Sequence, residues 1–143
     1  MRDLKKVYKE VSHTADLAIE VKGRDLEDLF RNAGLSMIDL SLDSLEKVEE
    51  KERIEFECNG TDLVDLFIRY LSELHYIIFG KLFLYSEIKI EKIDENHVKG
   101  YVIGEYFDAK RHSFEIEIKA VTYHMARVER KNGEWTGFVV FDV

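Results

Sequence analysis

The sequence predicts an α+β fold. Mainly antiparallel sheets are each packed by one helix, and one strand-helix-strand-strand module is inserted in a second such module. Three observations lead there. Helical spacing of apolar residues occurs in only two segments, while two-residue alternation recurs before, between and after them. Two helices are too few to cover both faces of so many strands, as a doubly wound fold requires. The order strand, capping residue, helix occurs twice, at residues 17–41 and 53–79.

The elements follow in order. Val7 and Val11 open a short first strand. Leu17, Ile19 and Val21 alternate with Ala18, Glu20 and Lys22, a half-buried second strand that Gly23 breaks. Asp25 is placed to cap a helix, with Glu27 and Asp28 in its first turn, where negative charge suits the helix dipole. Leu26, Leu29, Phe30, Ala33, Met37 and Ile38 then give one apolar face over residues 25 to about 41. Arg53 to Cys58 alternates strictly and Asn59-Gly60 turns the chain. Thr61 is the expected cap of a second helix whose stripe is Leu63, Leu66, Phe67, Tyr70, Leu71, Leu74 and Ile78, ended by Gly80. Five strands are expected after it. Phe83 to Ile93 and Val98 to Phe107 flank the turn Asp94-Glu95-Asn96. Phe114, Ile116, Ile118 and Ala120 alternate with polar partners. Arg127 to Lys131 and Trp135 to Phe141 flank Asn132-Gly133, a type I′ hairpin signal.

With 143 residues, 45% of them hydrophobic, the chain suffices for one cored domain spanning residues 1–143. Acids outnumber bases by 29 to 21, a net charge of −8, with no extended Lys/Arg cluster. Nucleic acids are bound through clustered cations, so tight direct binding of nucleic acid is not expected and a basic protein partner is better matched. The single cysteine allows no internal disulfide and points to a reducing, cytoplasmic setting. Cys58 falls in step with Ile54 and Phe56 and reads as a buried small hydrophobe. Met1 to Lys6 lacks the apolar core of a signal peptide, and no apolar run approaches a membrane span of roughly 20 residues.

The candidate chemistry lies at the ends of strands. Asp16 stands at the mouth of the second strand, and Asp142 ends the last one beside the α-carboxylate of Val143. If the three converge, they form a hard oxygen site for a divalent cation. Asp16 equally fits a turn residue accepting backbone N–H groups, and Asp142 a frayed terminal charge. His13, three residues before Asp16, is a possible ligand, base or hydrogen-bonded structural residue. Arg111-His112 lie in a loop after Asp108 and could form a polar patch; His75 lies in the second helix and His97 in a turn. No Cys-x-x-Cys and no helical His pair favours zinc. No nucleophile elbow and no glycine-rich phosphate loop is present.

Taken together the segments resemble the archease family. The matching pieces are His13-Thr14-Ala15-Asp16 with Gly23, Leu26-Glu27-Asp28-Leu29-Phe30, and Asp62-Leu63-Val64-Asp65-Leu66 running to Leu71-Ser72-Glu73-Leu74. Gly104-Glu105 with Arg111-His112, Lys119-Ala120-Val121-Thr122-Tyr123-His124, and Trp135 with Phe141-Asp142-Val143 complete them. The resemblance implies a protein cofactor, not a stand-alone enzyme. Its partner is the tRNA-splicing ligase, whose guanylylation and multiple turnover it promotes and whose nucleotide use it broadens, in tRNA splicing or RNA repair. It further implies a divalent ion, most often calcium, held by Asp16, Asp142 and Val143. Lys119, in the matched Lys-Ala-Val-Thr-Tyr-His piece, and His13, close to Asp16 in sequence, are candidate effector or supporting residues. The alternative readings are a stand-alone metal-dependent phosphoester hydrolase and a chaperone-like interaction module.

Overall fold

In the computed structural model the described residues are 4, 7–12 and 16–143. Strand β1 (Tyr8–Ser12) pairs antiparallel with β2 (Asp16–Gly23), and helix α1 (Leu26–Ser41) follows. The Asp25 carboxylate accepts the N–H of Asp28 at 2.8 Å, and the Asp28 carboxylate reaches back to the N–H of Arg24 at 3.0 Å. One of the amides left over at the helix start and the amide just before the cap are thereby satisfied. A 3₁₀ turn (Leu45–Lys47) leads to β3 (Glu52–Asn59).

Helix α2 (Leu63–His75) starts with the same device shifted by one residue from expectation. Asp62, not Thr61, is the cap: its carboxylate accepts the N–H of Asp65 at 2.8 Å. Thr61 lies just outside and donates its own N–H to Asp65 at 2.9 Å. The Asp-x-x-Asp pair satisfies both amides at once, which a Thr61 cap one residue earlier would not. A π-helical turn (Tyr76–Gly80) carries the helical path to its end at Gly80.

Four strands follow α2, not five: β4 (Phe83–Ile93), β5 (His97–Tyr106), β6 (Ala120–Lys131) and β7 (Glu134–Asp142). Residues 114–119 alternate in burial but form no ladder. The N–H groups of Glu115 and Ile116 donate to Ser41 O at the end of α1, and Ser113 O accepts from Asp43. Leu42 and Phe114 make one isolated bridge. This extended stretch satisfies the last carbonyl of a helix, so periodicity alone mistook it for a strand. The segment read as a separate strand from Arg127 is the second half of β6.

The strands form two antiparallel sheets, ordered β1-β2-β7-β6 and β3-β5-β4. The second sheet and α2 come from one stretch of chain, residues 52–106, inserted between the α1 and β6 portions of the first. Helix α1 packs against β2 and β4, and α2 against β6 and β3, so each helix touches both sheets. One apolar cluster runs through Leu29 and Phe30 of α1, Phe67 and Tyr70 of α2, Ile88 of β4 and Phe141 of β7. Tyr70 and Tyr85, both fully buried, spend their hydroxyls on α1 carbonyls, at Phe30 O (2.8 Å) and Gly34 O (2.7 Å). Gly34 permits that approach: a Cβ there would lie 2.5 Å from Ile88 Cδ1 and 2.7 Å from Leu74 Cδ1.

Candidate functional site

The alternation of β2 turns Leu17, Ile19 and Val21 toward the helices and leaves Asp16, Ala18 and Glu20 on the outer face of the sheet. In β7 the outer set is Phe138, Val140 and Asp142. Ala18, Phe138 and Val140 form a small apolar cluster of their own there, which fixes the register from the outside. That register pairs Asp16 directly with Asp142 at the end of the ladder. On the other side of Asp142 stands Ala120 of β6, whose methyl group leaves the carboxylate uncrowded. The N–H of Lys119 donates to the backbone oxygen of Asp142 at 2.7 Å, seating Lys119 beside this row. Its side chain is exposed.

Two of the three anions expected from the sequence are thus cross-strand neighbours. Like charges directly opposed on a sheet are destabilising, and among the described residues no basic side chain makes an ion pair with either acid. Two carboxylates at paired positions on one face of a sheet are donors suited to a hard cation. Among the described residues no three His, Cys, Asp or Glu side chains gather at one point. A cation there would need a further donor, and Val143, 40% exposed, adjoins Asp142. His13 lies outside the described residues.

The model of the Archease protein family (MTH1598/TM1083) matches residues 8–143. The chain belongs to the archease family. Protein archease of Methanopyrus kandleri is 42% identical over 139 residues, covering 95% of this chain and 99% of that one. Protein archease of Pyrococcus furiosus is 35% identical, covering 95% and 98%. Among solved structures, protein 1598 of Methanobacterium thermoautotrophicum superposes with a TM-score of 0.81 at 31% identity, covering 96% of this chain and 99% of that one. An archease of Thermotoga maritima, described as a possible chaperone, superposes with a TM-score of 0.64 at 25% identity, covering 94% and 96%.

Two polar clusters of this archease-family chain were only partly visible in the sequence. Glu105, 3% exposed, accepts hydrogen bonds from the Glu49 N–H (2.8 Å), both terminal nitrogens of Arg111, and His112 Nε2 (3.0 Å). Lys51 Nζ lies 3.4 Å away. The Arg111 guanidinium, foremost among these partners, holds the Glu105 carboxyl well below the usual carboxylate range. His112 Nδ1 accepts the N–H of Asp108 at 2.9 Å, so the proton sits on Nε2 and the ring is neutral. With both ring nitrogens engaged in a buried setting, His112 is a structural tie between loop and sheet. Arg111-His112 is therefore more than a polar patch: it is the anchor of the 107–119 connection. The other cluster joins Tyr123 of β6 to Asp65 of α2 at 2.7 Å.

The remaining titratable residues of interest are structural. His75 ends α2 and hydrogen-bonds Ile118 O at 2.6 Å. His97 opens β5, where it meets Glu57 at 2.6 Å, and is not in the turn itself. Cys58 is buried, and burial pushes its thiol up to about 11. At pH 8 the thiol stays in its protonated, unreactive form. Iodoacetamide followed by mass spectrometry should therefore leave Cys58 unmodified in the native protein and label it fully in denaturant. No helix among the described residues is long and apolar enough to cross a membrane.

Proposed function

We propose that this chain is a protein activator of an RNA-joining ligase of the tRNA-splicing type. It raises the ligase's guanylylation, sustains multiple turnover and widens its nucleotide use, in tRNA splicing or RNA repair. The direct pairing of Asp16 with Asp142 carries the reading. In this proposal the two carboxylates and the α-carboxylate of Val143 hold a divalent cation, Ca²⁺ in the simplest case, since all three donors are hard oxygens. A bound ion would supply Lewis-acid and phosphate-orienting chemistry. The protein's own residues provide the rest. The β2–β7 ladder fixes the spacing of the acids, Ala120 leaves them open, and exposed Lys119 stands beside them to reach a partner. A chain of net charge −8 is steered toward a basic surface such as a nucleotide-binding face.

The test is a guanylylation assay with the ligase of the same organism, with this protein added or withheld and EDTA titrated. Asp16→Ala and Asp142→Ala are each expected to abolish stimulation while far-ultraviolet circular dichroism and hydrodynamic size stay unchanged. Residues appended after Val143 should weaken it as well. A second readout needs no ligase. Calcium at 100 times its Kd should stabilise the parent protein by about 2.7 kcal/mol, and both alanine variants should lose that increment. Undiminished stimulation by either variant would overturn the assignment. The chaperone-like reading, which the description of the Thermotoga maritima relative favours, requires stimulation independent of Asp16. Robust phosphoester turnover without any ligase would instead make the chain a hydrolase.

A further inference from the structure

In the β6–β7 ladder Thr122 pairs with Val140, and the next pairing is Arg127 with Phe138. One β7 residue, Val139, therefore faces four β6 residues, 123–126. A common bulge adds one extra residue; this excursion adds three. It carries two large apolar side chains into solvent, Tyr123 at 56% exposure and Met125 at 50%. Met125 is held at φ +56°, a region in which a residue with a Cβ is strained. Such strain persists only where the surroundings over-determine it, and the restraints are present. Thr122 Oγ1 donates to Val140 O at 2.8 Å where the excursion begins. The Tyr123 hydroxyl donates to Asp65, which is itself held by the Thr61 N–H at 2.9 Å and Arg69 Nε at 3.0 Å. The start of the excursion and the Tyr123 ring are thereby held in place, so a partner meeting Tyr123 has little ordering left to do.

The excursion begins three residues along β6 from Ala120, the neighbour of Asp142. At 3.3–3.4 Å per residue that is about 10 Å, well within the footprint of one protein partner. We propose that Tyr123 and Met125 are the apolar anchors of an interaction surface that starts on the helix side of β6, where Tyr123 meets Asp65, and wraps the edge of this strand to the Asp16–Asp142 end of the sheet, its acidic flank. The occupant it fits is a protein with an apolar pocket beside a basic surface. Tyr and Met are enriched in the cores of such interfaces, and the flanking carboxylates select the charge. This rests on the function proposed above for the partner's identity alone: the occupant is the ligase.

Met125→Gly tests it, because glycine accepts φ +56° without strain. The variant should fold with an unchanged or higher Tm while lacking the anchor. Two quantities are measured: equilibrium binding of the labelled chain to the ligase, and stimulation of guanylylation across a concentration series. Met125→Gly should raise both the Kd and the half-maximal concentration at least tenfold and leave the plateau of stimulation intact. Asp16→Ala should lose the plateau itself, so that no concentration restores stimulation. Leu82→Gly is the control, since Leu82 is also apolar, 47% exposed and held at φ +54°, but lies outside the excursion. It should change neither quantity. A Kd for Met125→Gly within twofold of the parent overturns the proposal, as does a shift confined to Leu82→Gly. Sedimentation showing that Met125→Gly dissociates a dimer of this chain overturns it too, by assigning the surface to a second copy. If the parent binds the ligase without stimulating it, the activation reading fails while the Kd comparison still decides the surface. If the parent does not bind at all, both fall.

Discussion

Gly104→Ala is expected to cost about 4 kcal/mol or more, or to prevent folding. Gly104 lies in β5, the central strand of the three-stranded sheet, opposite Tyr85 and Glu52. A Cβ there would overlap the carbonyl oxygen of Leu84 and stand 2.7 Å from Leu84 C and Tyr85 Cα. These are backbone atoms, so no side chain can swing aside. The crowding has a visible origin. Tyr85 pairs with Gly104 and Glu87 with Ile103, so Ser86 is an extra residue and β4 bulges toward β5 at that point. The arrangement repeats at Gly100, where the pairing jumps from Ile90 to Lys92. Each bulge of β4 therefore presses on a glycine of β5. Urea denaturation followed by circular dichroism checks the prediction. A midpoint for Gly104→Ala within error of the parent would mean that β4 can straighten, which its register does not allow.

Glu105→Ala, one residue on, should destabilise by about 3 kcal/mol. That is the low end for breaking a buried charge pair, because Arg111 keeps 34% of its side chain exposed. The substitution removes the acceptor for His112 Nε2–H, for Arg111 and for the Glu49 N–H together. Differential scanning calorimetry should show a fall in Tm of roughly 6–12 °C for a chain of this size. The same carboxylate sets a pH dependence. Its folded pKa is depressed relative to the unfolded value near 4.3. The stability it contributes is therefore full above that value and is lost as pH falls through the lower folded pKa. Glu105→Gln should flatten the loss of stability between about pH 4 and pH 2 relative to the parent. A parallel fall in the two proteins would place the acid sensitivity in other carboxylates.

Local chemistry was legible in the sequence wherever one segment settles its own conformation. Asp25 capping α1, the Phe83–Ile93 strand and the Asn132-Gly133 turn are all found as read, the turn with φ +54° and +77°. Non-local pairing was not legible. Alternation showed that Asp16 and Asp142 each end a strand, but adjacency of those strands depends on the whole sheet order. The four-residue excursion of β6 broke its alternation, so one strand read as the end of one and the start of another. The Glu105 cluster joins a strand end, a loop and the approach to β3, and the Tyr123–Asp65 bond joins a strand to a helix start. Neither spacing is periodic, and no local rule links them.

Strand β7 comes last in the chain yet sits between β2 and β6. During synthesis the inserted segment can complete its own sheet once β5 has emerged. The outer sheet has to wait, because the inner edge of β2 has no mate until β7 is made. Between Gly23 and Glu134 lie 110 residues, on the order of ten seconds of translation at 5–20 residues per second. For that interval one edge of β2 keeps its backbone N–H and C=O groups without their final partners. The facing acids at the ladder's end come together only when that vigil is over.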